Sequence, residues 1–266
     1  MRVLLDDLNP EQRRAVEHSE GPLLVLAGAG SGKTRVLTTR IAALLSRGLA
    51  RPEEILSVTF TNKAAAEMRE RVARLLGGSA GRVTMGTFHS VCARWLRRHI
   101  ERLGLGYDRS FVVYDASDQL GVLEKAIEGR PFSVPARLLL ARIDQAKNEG
   151  CDEAGLLDAA KSPIDVAAAE AYGLYQRWLR RNNALDFGDL LLVTLTLFER
   201  APGALADLRD RFRYVHVDEY QDTNHVQYRL LQLLAAGHRN LCAVGDEDQS
   251  IYGWRGANIR NILDFE

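Results

Sequence analysis

The segment Ala27-Gly28-Ala29-Gly30-Ser31-Gly32-Lys33-Thr34 constrains this chain more than any other. It follows a continuous apolar run, Leu23-Leu24-Val25-Leu26-Ala27, that suits a strand covered on both faces, and it precedes a helix-like stretch from Lys33 to Arg47. Glycines at 28, 30 and 32, with Ala29 and Ser31 between them, let the backbone wrap until successive N–H groups face a phosphate. A helix N-terminus at the end of the turn adds favourable field for an anion. Lys33 is placed to bridge terminal phosphates, and the Thr34 hydroxyl to coordinate Mg²⁺. The general pattern has glycine where this chain has Ala27, a mismatch of little physical weight because alanine suits a strand end. The segment therefore reads as a nucleotide site.

The pattern around it repeats. Glu54 to Phe60 and Val83 to Phe88 read as buried strands, and Asn62 to Leu76 and His89 to Arg102 as the helices that follow them. Three strand–helix units predict an α/β sandwich with a mostly parallel sheet. Upstream, Asn9-Pro10-Glu11-Gln12 has the cap, the proline and the amide of a helix opening. Residues from about 104 to 200 break the rhythm: 117–128, 135–148, 165–181 and 186–200 are helical candidates, and Val112-Val113 is too short to read as a strand. Strands return at 213–217 and 240–244, with a helix from 224 to 235 between them. The organisation expected is an α/β lobe, residues 1–106 and 201–266, carrying a helical insertion at 107–200.

Further along, His216-Val217-Asp218-Glu219 closes a strand. An Asp at that end beside the phosphate turn can hold Mg²⁺ through water, and the adjacent Glu219 can polarise a water for in-line attack on a γ-phosphate. For that chemistry the two carboxylates must lie within about 10 Å of the turn. The distance along the chain from Thr34 to Asp218 exceeds what a compact nucleotide-binding domain needs, which excludes a small GTPase. Asn62-Lys63 also lacks the Asp two places on that would read guanine.

Composition narrows the partners. Lys plus Arg and Asp plus Glu each number 35 in 266 residues, which excludes a protein that grips polyanions by bulk charge but not one with a local groove. Between Lys63 and Arg102 there are nine Lys or Arg against three Glu, a basic stretch suited to a sugar-phosphate backbone. Phe60, Asn62 and Lys63 follow one strand, and Phe88 and His89 another, so aromatic and polar groups emerge together. Near the C-terminus, Gln249 follows a further strand within reach of a γ-phosphate, and Tyr252, Trp254 and Arg255 offer stacking faces and a cation. Three scattered cysteines and the lack of a signal peptide or apolar span point to the cytoplasm and no membrane partner. The histidines share no metal-ligand spacing with the cysteines.

Taken in order, the blocks Leu8-Asn9-Pro10-Glu11-Gln12, AGAGSGKTRVL at 27–37, TFTNKAAAEM at 59–68, TFHS at 87–90, DFGDLL at 186–191, VDEYQDTN at 217–224 and GDEDQSIYGWRGAN at 245–258 resemble superfamily 1 helicases of the UvrD/Rep/PcrA type. The resemblance implies a RecA-like motor lobe of a 3′–5′ single-stranded DNA translocase, with ATP and Mg²⁺ as cofactors. It makes Gln12 the adenine reader and Lys33, Thr34 and Asp218 the phosphate and metal ligands. Arg35 would lie near the nucleotide, Glu219 would be the general base and Gln249 the γ-phosphate sensor. Phe60, Asn62, Phe88, His89, Phe187, Tyr252 and Trp254 would line the single-strand track, and Arg255 would couple it to the nucleotide. Gly253 departs from the bulkier residue usual there, which weakens one contact.

The insertion would lean toward duplex DNA at a single-strand/double-strand junction, and partners would come from repair or replication. Such an enzyme has a second, C-terminal motor lobe with arginine fingers. The expectation is thus an N-terminal fragment that hydrolyses ATP weakly on its own. A non-motor ATP-dependent switch and another phosphate-loop enzyme, such as a kinase or transport ATPase, are the alternatives.

Overall fold

A computed structural model describes residues 5–246. Its described residues fall into two compact units. The first takes in residues 5–91, 203–223 and 227–246, and the second residues 92–202 and 224–226.

The first unit is a five-stranded, all-parallel sheet flanked by helices. Helix α1 (Pro10–Glu17) opens with the anticipated capping box: the Gln12 N–H donates to Asn9 Oδ1 at 2.8 Å, and the Asn9 N–H donates to Gln12 Oε1 at 3.1 Å. Strand β1 (Leu23–Leu26) leads through the glycine turn into α2 (Lys33–Ser46). Next come β2 (Ile55–Thr59), α3 (Asn62–Leu76), β3 (Thr84–Thr87) and the first residues of α4 (Phe88–His99), whose remainder from Cys92 belongs to the second unit. The bounds of α3 have a local cause. The Thr61 hydroxyl accepts the Ala64 N–H at its start, and Gly77 adopts a left-handed conformation at its end.

After the second unit the sheet resumes with α10 (Pro202–Arg211), β6 (Tyr214–Val217), α11 (His225–Ala235) and β7 (Leu241–Gly245). The spatial order is β1-β7-β6-β2-β3. Strands β2 and β6 are buried throughout, as the reading of Glu54 to Phe60 predicts for β2. Strand β1 corrects the expectation of a doubly covered strand. Among the described residues it lies at the sheet edge, pairs with β7, and leaves Leu26 43% exposed. Leu37, Ile41 and Leu44 of α2 pack with Met68 and Val72 of α3 against Ile55, Met85, Tyr214 and Val244 of the sheet. Each such side chain contributes about 1.5–3 kcal/mol by leaving water.

The second unit is mainly helical: α5 (Ala116–Ile127), α6 (Ala136–Glu149), α7 (Glu153–Asp158), α8 (Pro163–Arg181) and α9 (Phe187–Arg200). Leu123, Leu139, Ile143, Tyr172, Tyr175 and Leu179 form its core. It also holds a strand pair that the sequence hides, since Val112–Val113 (β4) runs parallel to Ala184–Leu185 (β5). Two residues carry no alternation to read, and their partner lies far along the chain.

At the start of α9 a buried charge cluster takes over. Lys147 Nζ lies 2.6 Å from Asp186 Oδ2 and 2.7 Å from Asp189 Oδ1, and all three side chains are fully buried. The Tyr175 hydroxyl donates to Asp186 at 3.0 Å and the Gln176 amide to Asp189 at 2.7 Å. Among the described residues no helix is long and apolar enough to cross a membrane.

Candidate nucleotide site and nucleic-acid face

The phosphate turn, Asp218, Glu219, Phe60, Asn62, Lys63, Phe88 and His89 follow the carboxyl ends of strands, where open parallel sheets bind ligands, and Gln12 reaches the turn from α1. Adjacency in the sheet does the gathering. Strands β1, β7 and β6 are neighbours, so the turn after β1, Asp246 after β7 and Asp218 after β6 converge although they come from distant parts of the chain.

Within the turn, Gly30 has φ +73° and Gly32 φ +89°. These left-handed conformations fold the chain back before α2 begins. A Cβ on Gly32 would also come within 2.9 Å of the Gln12 amide nitrogen. Ala27 extends the sheet, its N–H donating to the Gly245 carbonyl at 3.1 Å, so alanine is at home there. The first N–H groups of α2, which a helix cannot satisfy internally, begin where the turn ends.

The Lys33 ammonium has three oxygen partners. It donates to the carbonyls of Ala27 at 2.6 Å and Gly28 at 3.2 Å, and to Asp246 Oδ2 at 3.0 Å. Lys33 and Asp246 are both buried. The Thr34 hydroxyl donates to Asp218 Oδ2 at 3.4 Å. Burial, helped by the neighbouring Glu219 charge, pushes the Asp218 carboxyl up to about 6, against the pull of the Glu219 N–H, Thr34 and Lys33. A desolvated carboxylate beside a hydroxyl and an ammonium fits a site for a metal-bound triphosphate, because a dication would offset the cost of burying its charge.

Glu219 sits in a left-handed conformation, φ +53° and ψ +47°, uncommon for a residue with a side chain and frequent at functional sites. Its Oε2 accepts a hydrogen bond from Gln221 Nε2 at 2.8 Å. Asp222 is buried near it and is also pushed up to about 6 by burial and by the Glu219 charge.

Other residues named from the sequence are placed as follows. The Gln12 amide donates to the Ser31 carbonyl at 2.8 Å while its oxygen serves the capping box, so both ends are engaged against the turn. Arg35 is exposed, 3.5 Å from Asp7. Phe60 is half-buried, and its ring meets Phe88 edge-on with centroids 5.9 Å apart. Phe88 is only 4% exposed, so its ring supports Phe60 and offers no open stacking face. Asn62 and Lys63 are exposed in the first turn of α3, with Lys63 at a loose 4.0 Å from Glu67, and His89 is half-buried.

In the basic stretch, Arg69 donates to the Met85 carbonyl, and Arg97, in the second unit, donates to the carbonyls of Arg109 and Phe111. Those two arginines do structural work. Phe187, also in the second unit, is 48% exposed at the first position of α9. Gln249, Tyr252, Trp254 and Arg255 lie outside the described residues. The residues that motif reading passed over are Gln221 and Asp246, although both fall within the quoted blocks and Asp246 directly follows a strand.

Residues 8–266 match the family model described as the UvrD/REP helicase N-terminal domain. The chain belongs to the UvrD/Rep helicase family. Among UvrD/Rep relatives, it is 50% identical over 272 residues to the ATP-dependent DNA helicase PcrA of Staphylococcus aureus (strain Mu50 / ATCC 700699), covering 100% of this chain and 37% of that protein. It is 48% identical over 266 residues to the ATP-dependent DNA helicase PcrA of Bacillus subtilis (strain 168), covering 99% and 36%. The chain thus spans little more than a third of the length of these curated relatives. The parallel sheet with its helical insertion is the RecA-like architecture expected of a UvrD/Rep N-terminal domain.

Proposed function

We propose that this chain is the nucleotide-hydrolysing lobe of a 3′–5′ translocase on single-stranded DNA, acting at single-strand/double-strand junctions. The observation that carries the reading is the convergence of Thr34, Lys33, Asp218 and Glu219 at one end of the sheet, with the Thr34 hydroxyl 3.4 Å from Asp218. Family membership and the PcrA relatives support the same activity.

Lys33 exchanges the Ala27, Gly28 and Asp246 oxygens for the terminal phosphate oxygens of ATP. Thr34 and Asp218 hold Mg²⁺, which when bound neutralises phosphate charge. Glu219 orients a water and accepts its proton, and Gln249 contacts the γ-phosphate. The turn at 28–32, with Gln12 and Arg35, holds the rest of the nucleotide. Phe60, braced by Phe88, stacks a base. Asn62, Lys63 and His89 in the first unit, Phe187 in the second, and Tyr252, Trp254 and Arg255 add contacts to bases and phosphates.

Stepping needs two lobes that close over ATP and reopen after hydrolysis. This lobe without a C-terminal partner hydrolyses slowly, because transition-state charge lacks its trans-acting cations. The test is ATP hydrolysis with and without single-stranded DNA, by this chain alone and joined to a second motor lobe. DNA stimulation in the joined protein and its loss in Lys33→Ala are expected. DNA-stimulated hydrolysis that persists in Lys33→Ala would remove the phosphate-site assignment, and duplex unwinding by the lobe alone would remove the two-lobe requirement.

A further inference from the structure

A continuous set of contacts joins the lysine of the phosphate turn to the glutamate at the end of β6. Lys33 Nζ is 3.0 Å from Asp246 Oδ2. The backbone N–H of the same Asp246 donates to Gln221 Oε1 at 3.0 Å. The other end of that amide, Gln221 Nε2, donates to Glu219 Oε2 at 2.8 Å. Gln221 is 1% exposed, so its side chain has no solvent to turn toward.

The residue type matters. A glutamine can accept at one end and donate at the other, whereas a glutamate there would put a second carboxylate against Glu219 and an aliphatic side chain would leave both groups unpaired. The backbone has made room for it as well. A Cβ on Gly245 would lie 3.0 Å from Gln221 Oε1, so the strand end tolerates the amide because residue 245 has no side chain.

We propose that Gln221 is a positioning residue: it fixes the rotation of the Glu219 carboxylate and ties it to the backbone at Asp246, whose own side chain is held by Lys33. With Oε2 engaged by the amide, Oε1 is the oxygen left for a water proton. Phosphate that draws Lys33 away from Asp246 changes the restraint on the Asp246 backbone, and Gln221 carries that change to Glu219. This inference rests on the reading of Glu219 as general base. The linkage itself is a structural fact that can be followed without turnover.

The experiment uses this chain as wild type and as Gln221→Leu, Gly245→Ala and Glu219→Gln. Three quantities are measured: the single-turnover ATP hydrolysis rate, the affinity for a fluorescent ADP, and the hydrogen-exchange rate of the Asp246 amide. Gln221→Leu is expected to slow hydrolysis about 10- to 100-fold, the scale of a misplaced catalytic group. Its ADP affinity stays within about twofold of wild type, and its Asp246 amide exchanges faster. Gly245→Ala, which leaves every polar group in place, shifts rate and exchange in the same direction by less.

A wild-type rate or unchanged Asp246 exchange in Gln221→Leu, with hydrolysis lost in Glu219→Gln, overturns the inference and leaves the general base standing. An unaltered rate in Glu219→Gln removes the base assignment itself. Should Gln221→Leu fail to fold, Gly245→Ala decides alone: slowed hydrolysis with ADP affinity kept supports the linkage, and no change overturns it.

Discussion

The Thr34 hydroxyl and the Asp218 carboxylate, 184 residues apart in the chain, meet at 3.4 Å. The sheet brings them together: the turn after β1 and the end of β6 are separated only by β7. If this pair is the cation site of the nucleotide complex, its removal should be felt through Mg²⁺ and hardly without it. Asp218→Asn keeps the side-chain shape and the Thr34 contact but discards the charge. Fluorescent ADP titrations should show Mg²⁺ tightening binding to the wild-type chain and changing it little in the variant, a difference of at least about tenfold. Equal tightening in both would place the cation elsewhere.

Gly32 supplies a second test, of the turn itself. Its φ of +89° and the 2.9 Å that would separate an added Cβ from the Gln12 amide nitrogen act together, one through the backbone and one through space. Gly32→Ala should therefore cost about 1–2 kcal/mol of stability through the left-handed conformation. It should also push Gln12 off the Ser31 carbonyl. Circular dichroism is expected to remain that of the wild type while ADP affinity falls at least about tenfold, since the N–H groups facing the phosphates shift with the turn. Undiminished ADP binding would mean that the turn does not hold phosphate.

Much of this site is legible in the sequence because its chemistry is local in the chain. The turn needs glycines beside a lysine and a threonine, and α3 carries its own start and stop at Thr61 and Gly77. What depends on sheet neighbours is harder to read. The apolar run of β1 looks buried on both faces, and only the strand order shows it to be an edge among the described residues. The β4–β5 pair depends on a partner far along the chain. Gln221 and Asp246 both lie within recognisable blocks, yet their link exists because β6 and β7 are adjacent. Phe88 shows the opposite limit: an aromatic at a strand end invites a stacking role, and burial beneath Phe60 assigns it support.

In the second unit, Lys147 compensates two fully buried aspartates. Lys147→Met keeps most of the volume and removes the cation, leaving Asp186 and Asp189 uncompensated. Breaking a buried pair in this way costs about 3–5 kcal/mol. Denaturant unfolding should show a loss of that size reported by Trp178 in α8, with nucleotide binding by the first unit retained. A loss below about 1 kcal/mol would mean that the aspartates take up protons at little cost and that the charges of this cluster matter little to stability.

Two carboxyls of the same unit should give its stability opposite responses to pH. Asp165 is held down to about 2 by the Lys161 N–H, Arg142 and the Ser162 hydroxyl. A carboxyl lowered on folding binds fewer protons in the native state, so its contribution is present above the ordinary value of 3.8 and is lost as pH falls toward 2. Asp144 is the reverse. Burial and the charges of Asp186 and Asp189 push it up to about 6 against the pull of Lys147. A carboxyl raised on folding binds more protons in the native state, so stability declines as pH rises from 3.8 to about 6 and stays lower above that. Asp144→Asn removes the penalty and should raise the stability of the second unit at pH 7 by about 1 kcal/mol, discounted for partial exposure. The wild-type and Asp144→Asn curves should converge near pH 4, while Asp165→Asn should flatten the limb below it. Urea midpoints followed by Trp178 fluorescence from pH 2 to 8 measure both effects, and wild-type and Asp144→Asn curves that run parallel across pH 4 to 6 would show that Asp144 ionises in the folded chain as freely as in the unfolded one.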